Sequence, residues 1–338
     1  MTKDRVVHAM LGISTAILAL AALHLARPVL APVVFAIFVI AIVWPVQRVL
    51  QRMLPTIVAM VVTLALTVVI VAGLASIAVW GVSQVARSLL ANAGRFQEIY
   101  QAKADWLEQH GIYVASILAE HVSAGWLVGI AREISVRVQG LLSFTLVTLV
   151  FIILGLLEVD TASRKLEGRQ LLASFRAIAA KFQRFMLVRT LMSVSTGIAI
   201  WAFTSLVGLE LATAWGVIGF VLNYIPVIGP FVATVLPSLF AVMQFDSWQA
   251  PTVIFLCLNV IQFLSGSYFE PRIAGAALSL SPFMVLFAVF FWTFLWGIPG
   301  AFIGVPIIIA LHSLCASHPE TRWLATTLAG EPARQRPG

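Results

Sequence analysis

Long apolar runs separated by short polar breaks dominate the chain, and their lengths predict its elements. Runs over residues 6–26, 28–44, 55–80, 138–157 and 190–208 each approach the ~20 residues a helix needs to cross a ~30 Å hydrocarbon core. They read as five spanning helices. Arg27-Pro28, Arg48 and Arg52 mark the turns between the first three, and Pro55 suits the first turn of the third. Trp44 and Trp80 fall where interfacial tryptophans belong. Ala19-Leu20-Ala21 faintly resembles a cleavage site, but a second span follows at once, so the first run reads as a retained helix.

Two segments break this rhythm. Residues 81–140 mix basic and acidic side chains, with Gly94, Gly111 and Gly125 as punctuation. Phe96, Ile99, Tyr100, Lys103, Trp106 and Leu107 recur at three- and four-residue steps, which predicts an amphipathic helix whose stripe contains one lysine. The segment reads as a small helical subdomain outside the bilayer or lying on it. Residues 158–189 are strongly basic, and Phe175, Ile178, Phe182, Phe185 and Met186 share one helical face. That pattern predicts a basic interfacial helix on the cytoplasmic surface. With the basic loops inside, both termini are cytoplasmic and the subdomain lies outside.

The most informative stretch lies further on. Residues 211–245 carry no charge, and a single helix through them would be about 50 Å long. Pro226 and Pro230 each remove a backbone donor and Gly229 lets the chain turn, so the run is broken into two arms that either span or re-enter. Broken backbone in lipid persists only where protein buries it or where it lines a wet cavity. A second apolar run, 281–314, is broken at Gly297, Pro299 and Gly300. Between the two lies one unbroken span, bracketed by Asp246 and Glu270. Paired breaks of this kind point to the binding region of a transporter.

Composition agrees. With 61% hydrophobic and 10% charged residues over 338 positions, the fold class is all-α: a polytopic helical membrane protein of about seven or eight transmembrane helices. The reading divides it into residues 1–80 (three spans), 81–140 (outer subdomain), 141–208 (two spans joined by the interfacial helix), 209–316 (transport core) and 317–338 (cytoplasmic tail). The net charge of +7 gathers in short loops, as in membrane proteins, and does not indicate nucleic acid. Cys257 and Cys315 lack metal-ligand spacing, and no cofactor is implied.

Neutral polar residues in the apolar core are the candidate pathway: Asn223, Tyr224, Asn259 and Gln262, with Asn259 and Gln262 three apart on one helix. Pro226, Gly229, Pro230, Gly297, Pro299 and Gly300 are candidate hinges. Glu210, Asp246, Glu270 and Arg272 are the only formal charges in residues 190–319 and are candidates for gating or coupling. The Glu270–Arg272 pair reads equally well as a local ion pair closing a turn. Gly300 with Gly304, and Gly216 with Gly219, suit close helix packing. The sequence lacks HExxH, P-loop and GxSxG motifs, so an enzyme is not indicated.

Asn223-Tyr224-Ile225-Pro226-Val227-Ile228-Gly229-Pro230 resembles the IPxxGP signature of the bacterial AI-2E transporter family. Glu270-Pro271-Arg272-Ile273-Ala274-Gly275 is similar to its Pro-x-Ile-x-Gly element, and Leu278 to Pro282 with Trp296 to Gly300 and Pro306 resembles its C-terminal helix pair. The resemblance implies a homo-oligomeric permease of the bacterial inner membrane that exports a small solute without ATP. The quorum signal autoinducer-2 is the associated solute. Some members are associated with sodium–proton antiport, which would make H+ or Na+ a coupling ion. Many relatives carry an acidic residue where this chain has Asn223. An antiporter, an oligomeric channel and a non-transporting scaffold are the rival readings.

Overall fold

The computed structural model describes residues 3–109, 124–165, 170–274 and 281–317, together with 321 and 323. Gly111, the 275–280 stretch and most of the tail, all read above, lie outside the described residues. Among the described residues there are helices and turns but no strand. In order they are α1 (Lys3–Leu25), α2 (Arg27–Leu50), α3 (Thr56–Ala91), α4 (Ala93–Gln109), α5 (Ala124–Lys165) and α6 (Gln170–Leu206). Then come α7 (Ala212–Leu222), α8 (Ile228–Gln244), α9 (Gln249–Phe263), α10 (Glu270–Ala274), α11 (Pro282–Trp296) and α12 (Ile298–Ser317). A π-helical turn, Leu264–Phe269, joins α9 to α10. Among the described residues, six stretches are long and apolar enough to cross a membrane, and Met10–Leu25, α7, α8 and α11 are shorter apolar helices.

Three boundaries differ from the sequence reading. The third span does not stop near Trp80 but runs 36 residues to Ala91. Gly81, where the mixed segment was read to begin, lies inside this helix and makes room for a neighbour: a Cβ there would lie 3.0 Å from Val217 Cγ1. The fourth span belongs to a 42-residue helix that begins at Ala124. The basic segment does not form a separate interfacial helix either, because α6 continues unbroken for 37 residues through the fifth span. No proline interrupts these stretches, and helix propagation is favourable once started.

Polarity is arranged as lipid demands. Leu146, Val150, Leu154, Leu187 and Leu191 are exposed, whereas Thr63, Thr148, Ser193, Thr196 and Thr204 are buried. Thr63 and Thr67 donate to the carbonyls four residues back, at 2.8 and 2.7 Å, so their hydroxyls are satisfied within the helix. Arg48 stacks over Trp44 at 4.1 Å, which suits the predicted interfacial position.

The chain forms two compact units: one of Met1–Val68, Phe144–Phe185 and Ala276–Gly338, the other of Val69–Ser143 and Met186–Gly275. The first holds the α11–α12 hairpin. Its core is Ala31, Leu295, Trp296 and Ile303, and Trp296 Nε1 donates to the Leu23 carbonyl at 3.1 Å. On its part of α6, Phe182 and Phe185 are buried while Lys181 and Arg184 are exposed, as the amphipathic pattern predicts. The second unit holds the α7–α8 hairpin and α9. Its core includes Ile200, Trp215, Phe240, Ile254 and Leu258.

Both predicted breaks are antiparallel helical hairpins, and the two tips use the same device. A Cβ on Gly229 would overlap the Leu222 carbonyl oxygen, and one on Gly300 would overlap that of Trp292. Pro230 and Pro299 sit in the first turns of α8 and α12, where a missing donor costs nothing, so they begin helices rather than break them. Gly304 against the Ala288 carbonyl, and Gly216 against Gly197, confirm close packing at the paired glycines. Gly229→Ala should therefore cost about 1–3 kcal/mol through overpacking. Gly73→Ala, where a Cβ meets nothing within 4 Å, should be neutral or slightly stabilising. Thermal unfolding of the two purified variants checks this contrast.

Candidate functional site

The second unit concentrates its polar chemistry at the tip of the α7–α8 hairpin. Asn223 closes α7, and its side-chain amide donates to Ser193 Oγ at 3.2 Å. Tyr224 donates its hydroxyl to Thr190 Oγ1 at 3.0 Å. Val227 follows at φ 66° and ψ −58°, with the Ile228 N–H bonded to the Pro226 carbonyl at 2.7 Å. This is the rare positive-φ γ-turn, and a β-branched residue at its centre is strained. Such strain persists only where the surroundings hold it in place, often at functional sites.

One face of α6 receives these contacts. Arg189, Ser193 and Thr196 recur at four- and three-residue steps and are all buried. Both oxygens of Glu270 lie 2.6 Å from a single guanidinium nitrogen of Arg189. The Thr196 and Ser265 hydroxyls share a short hydrogen bond. As α6 runs from Arg189 to Thr196, its partners run back from Glu270 to Ser265, so α6 and the α9–π segment meet along an antiparallel polar seam. Gln262, one turn beyond Ser265, is 8% exposed, and neither its amide nitrogen nor its oxygen has a partner. Arg189 is 5% exposed, and its Nε is likewise buried without a partner. A buried donor left unsatisfied costs about 1–3 kcal/mol, so these groups mark places where the closed packing is incomplete.

The structure sorts the predicted residues. Asn223, Tyr224 and Gln262 all lie in the second unit, with Asn223 and Gln262 buried. Asn259 is exposed and donates to the Phe255 carbonyl at 2.8 Å. Its helical spacing from Gln262 does not carry it into the interior, because a three-residue step rotates by about 60° off the facing direction. Glu270 and Arg272 do not close a turn together: Glu270 reaches Arg189, and Arg272 stacks on Tyr268 at 3.7 Å. The hinges fall in different units, Pro226 to Pro230 in the second and Gly297 to Gly300 in the first.

Glu210 and Asp246 are exposed at the open end of the α7–α8 hairpin, far along the sequence from its tip. There Gln244 accepts from the Glu210 N–H and donates to the Gly208 carbonyl, both at 2.8 Å. Lys103, the odd lysine of the predicted apolar stripe, docks α4 onto this end. It donates to the Phe245 carbonyl at 2.9 Å and lies 4.6 Å over the Trp248 ring. Burial pushes Lys103 below the ordinary lysine value, and Asp246 draws it partly back.

Arg189 is the residue that sequence reasoning missed. It terminates a run of basic residues and reads as one more loop charge. The available signal is its phase: Arg189 falls seven residues after Phe182 and four after Phe185, on the apolar face rather than with Lys181 and Arg184. The π-helical turn was also unforeseen; Ser265-Gly266-Ser267 marks it in sequence, and such turns recur at functional sites.

A cavity of about 300 Å³ lies beside this hairpin, lined by residues including Val82, Val85, Trp215, Leu236, Phe240 and Met243. Its lining is apolar, so it does not belong to the polar seam.

The lowered Lys103 gives a pH prediction. The folded chain holds that proton less tightly than the unfolded chain, so stability rises with pH toward the ordinary value of 10.5. Unfolding of the wild type followed across the alkaline range should show this upward slope, and Lys103→Met should flatten it.

The family model for AI-2E family transporters matches residues 13–318. The AI-2 transport protein TqsA of Escherichia coli (strain K12) is 25% identical over 305 residues, covering 87% of each chain. The putative transport protein YhhT of the same organism is 30% identical over 146 residues, 43% of this chain and 39% of its own. A putative transport protein of Haemophilus influenzae is 22% identical over 341 residues, covering 94% and 95%. Sequence match, long apolar spans and interrupted helices lead to one assignment: the chain belongs to the AI-2E family of multi-pass bacterial membrane transporters.

Proposed function

We propose that this protein exports a small polar solute across the bacterial inner membrane without ATP, and that the tip of the α7–α8 hairpin moves against α6 to open the path. The observation that carries this reading is the seam itself. Asn223, Tyr224, Ser265 and Glu270 all hydrogen-bond to one face of α6. Polar groups are costly at membrane depth and mark substrate or ion routes. A strained Val227 at the tip supplies a reason for two arrangements of similar energy.

The printed name of TqsA, an AI-2 transport protein, makes the furanone autoinducer-2 the first solute to try. The basic residues Arg48, Arg52, Arg176, Lys181 and Arg184 favour a cytoplasmic placement of their segments and of both termini. Glu270, half-buried and paired with Arg189, favours sodium–proton antiport as the second reading. Homo-oligomeric assembly accompanies either one.

Efflux from proteoliposomes loaded with the furanone, with and without imposed proton and sodium gradients, tests the proposal. Saturable efflux accelerated by one gradient is expected. Arg189→Gln removes hydrogen bonds of a charged group worth about 1.5–3 kcal/mol, so flux should fall on the order of 10- to 100-fold. Pro226→Ala, which leaves the Gly229 contact untouched, should slow flux and leave membrane insertion intact. Absence of efflux together with sodium-driven collapse of a pH gradient would replace the exporter with the antiporter.

A further inference from the structure

The Arg189–Glu270 contact is unusual in its geometry. A guanidinium normally meets a carboxylate fork to fork, with two nitrogens donating in parallel. Here both Glu270 oxygens crowd one terminal nitrogen at 2.6 Å, and Nε is left buried without a partner. The side chain is thus fully desolvated yet only partly used. Among the described residues, Tyr224 is the other titratable group that acts on it, and Arg272 is turned away onto Tyr268.

We infer that Arg189 is a binding group for the carboxylate of a small organic acid, with Glu270 as the built-in carboxylate that occupies it in the absence of solute. This rests on the transporter reading and adds carboxylates to its solutes beside the neutral furanone. A free carboxylate can take the fork that Glu270 does not fill, engaging Nε and the other terminal nitrogen together, where its charge repels the Glu270 carboxylate. Occupation would release Glu270, and with it α10 and the π-helical turn, from the α6 side of the seam. The exchange swaps one anion for another at a buried cation, so the site never holds an unpaired guanidinium. That is the condition for moving a charge through an apolar region. Glu270, at 23% side-chain exposure, is the more accessible partner and the one that can leave.

The full chain in nanodiscs provides the test, with lactate as probe and propane-1,2-diol as its neutral counterpart at constant ionic strength. Lactate is expected to raise the unfolding temperature saturably, and the diol to leave it unchanged. Arg189→Lys keeps the charge and loses the fork, so lactate should bind about tenfold more weakly. Glu270→Gln removes the competitor, so lactate should bind about tenfold more tightly. Glu270→Asp, whose shorter side chain retains the charge, should shift affinity in the same direction and serves if Glu270→Gln does not fold. Equal responses to lactate and diol, or unaltered lactate affinity in Arg189→Lys, would overturn the assignment. Lactate binding without flux of any solute would count against the transporter reading and leave this site standing. Efflux of a neutral solute without lactate binding would do the reverse.

Discussion

A positive charge inside an apolar span must be paired, and in this chain that requirement falls on Arg189. On insertion scales an arginine at mid-membrane costs about 2.5–3.5 kcal/mol. Arg189 lies 13 residues into the 31-residue stretch Arg176–Leu206, about 20 Å from one end. Glu270 meets it from the end of the next long span, and that single pairing fixes the register between α6 and the α9–π segment. Once the register is set, Thr196 faces Ser265 one to two turns away. Ser193 and Thr190 are then left to receive the hairpin tip through Asn223 and Tyr224.

The tip can reach α6 because its own turn is very tight. Gly229 lets α8 start against the last carbonyl of α7, and Pro230 begins the new helix without leaving a donor unpaired. The turn strains Val227, which is 59% exposed and buries little in return. The strain is held by the seam contacts of Asn223 and Tyr224 just before it. At the opposite end the hairpin is tied by Gln244 across its arms and by Lys103 from α4. One element is thus anchored at both ends by polar contacts and packed along its length by apolar ones. A few hydrogen bonds can be exchanged at the tip while the Trp215–Phe240 core stays intact.

Much of this was legible beforehand. The class of protein, the spans and the break at residues 223–230 follow from run lengths and from proline and glycine, because those effects act locally. Lys103 was conspicuous as the one charge in an apolar stripe, though its partner, 142 residues away, was not. Asn259 misled because spacing gives a direction around a helix and not what lies there. Arg189 and Glu270 are 81 residues apart, and no local pattern links them. Arg189 was hidden further by sitting at the end of a basic run in which Lys165, Arg176, Lys181 and Arg184 are exposed.

A disulfide lock gives the most direct measurement of whether the hairpin tip must leave α6 for transport. Ser193→Cys and Asn223→Cys, in a background with Cys257 and Cys315 replaced, place two thiols where the native side chains lie 3.2 Å apart. Efflux would be compared between oxidised and reduced protein in the same proteoliposomes. The account predicts flux only after reduction. Equal flux in both states would show that the path opens without the tip moving, and would contradict it.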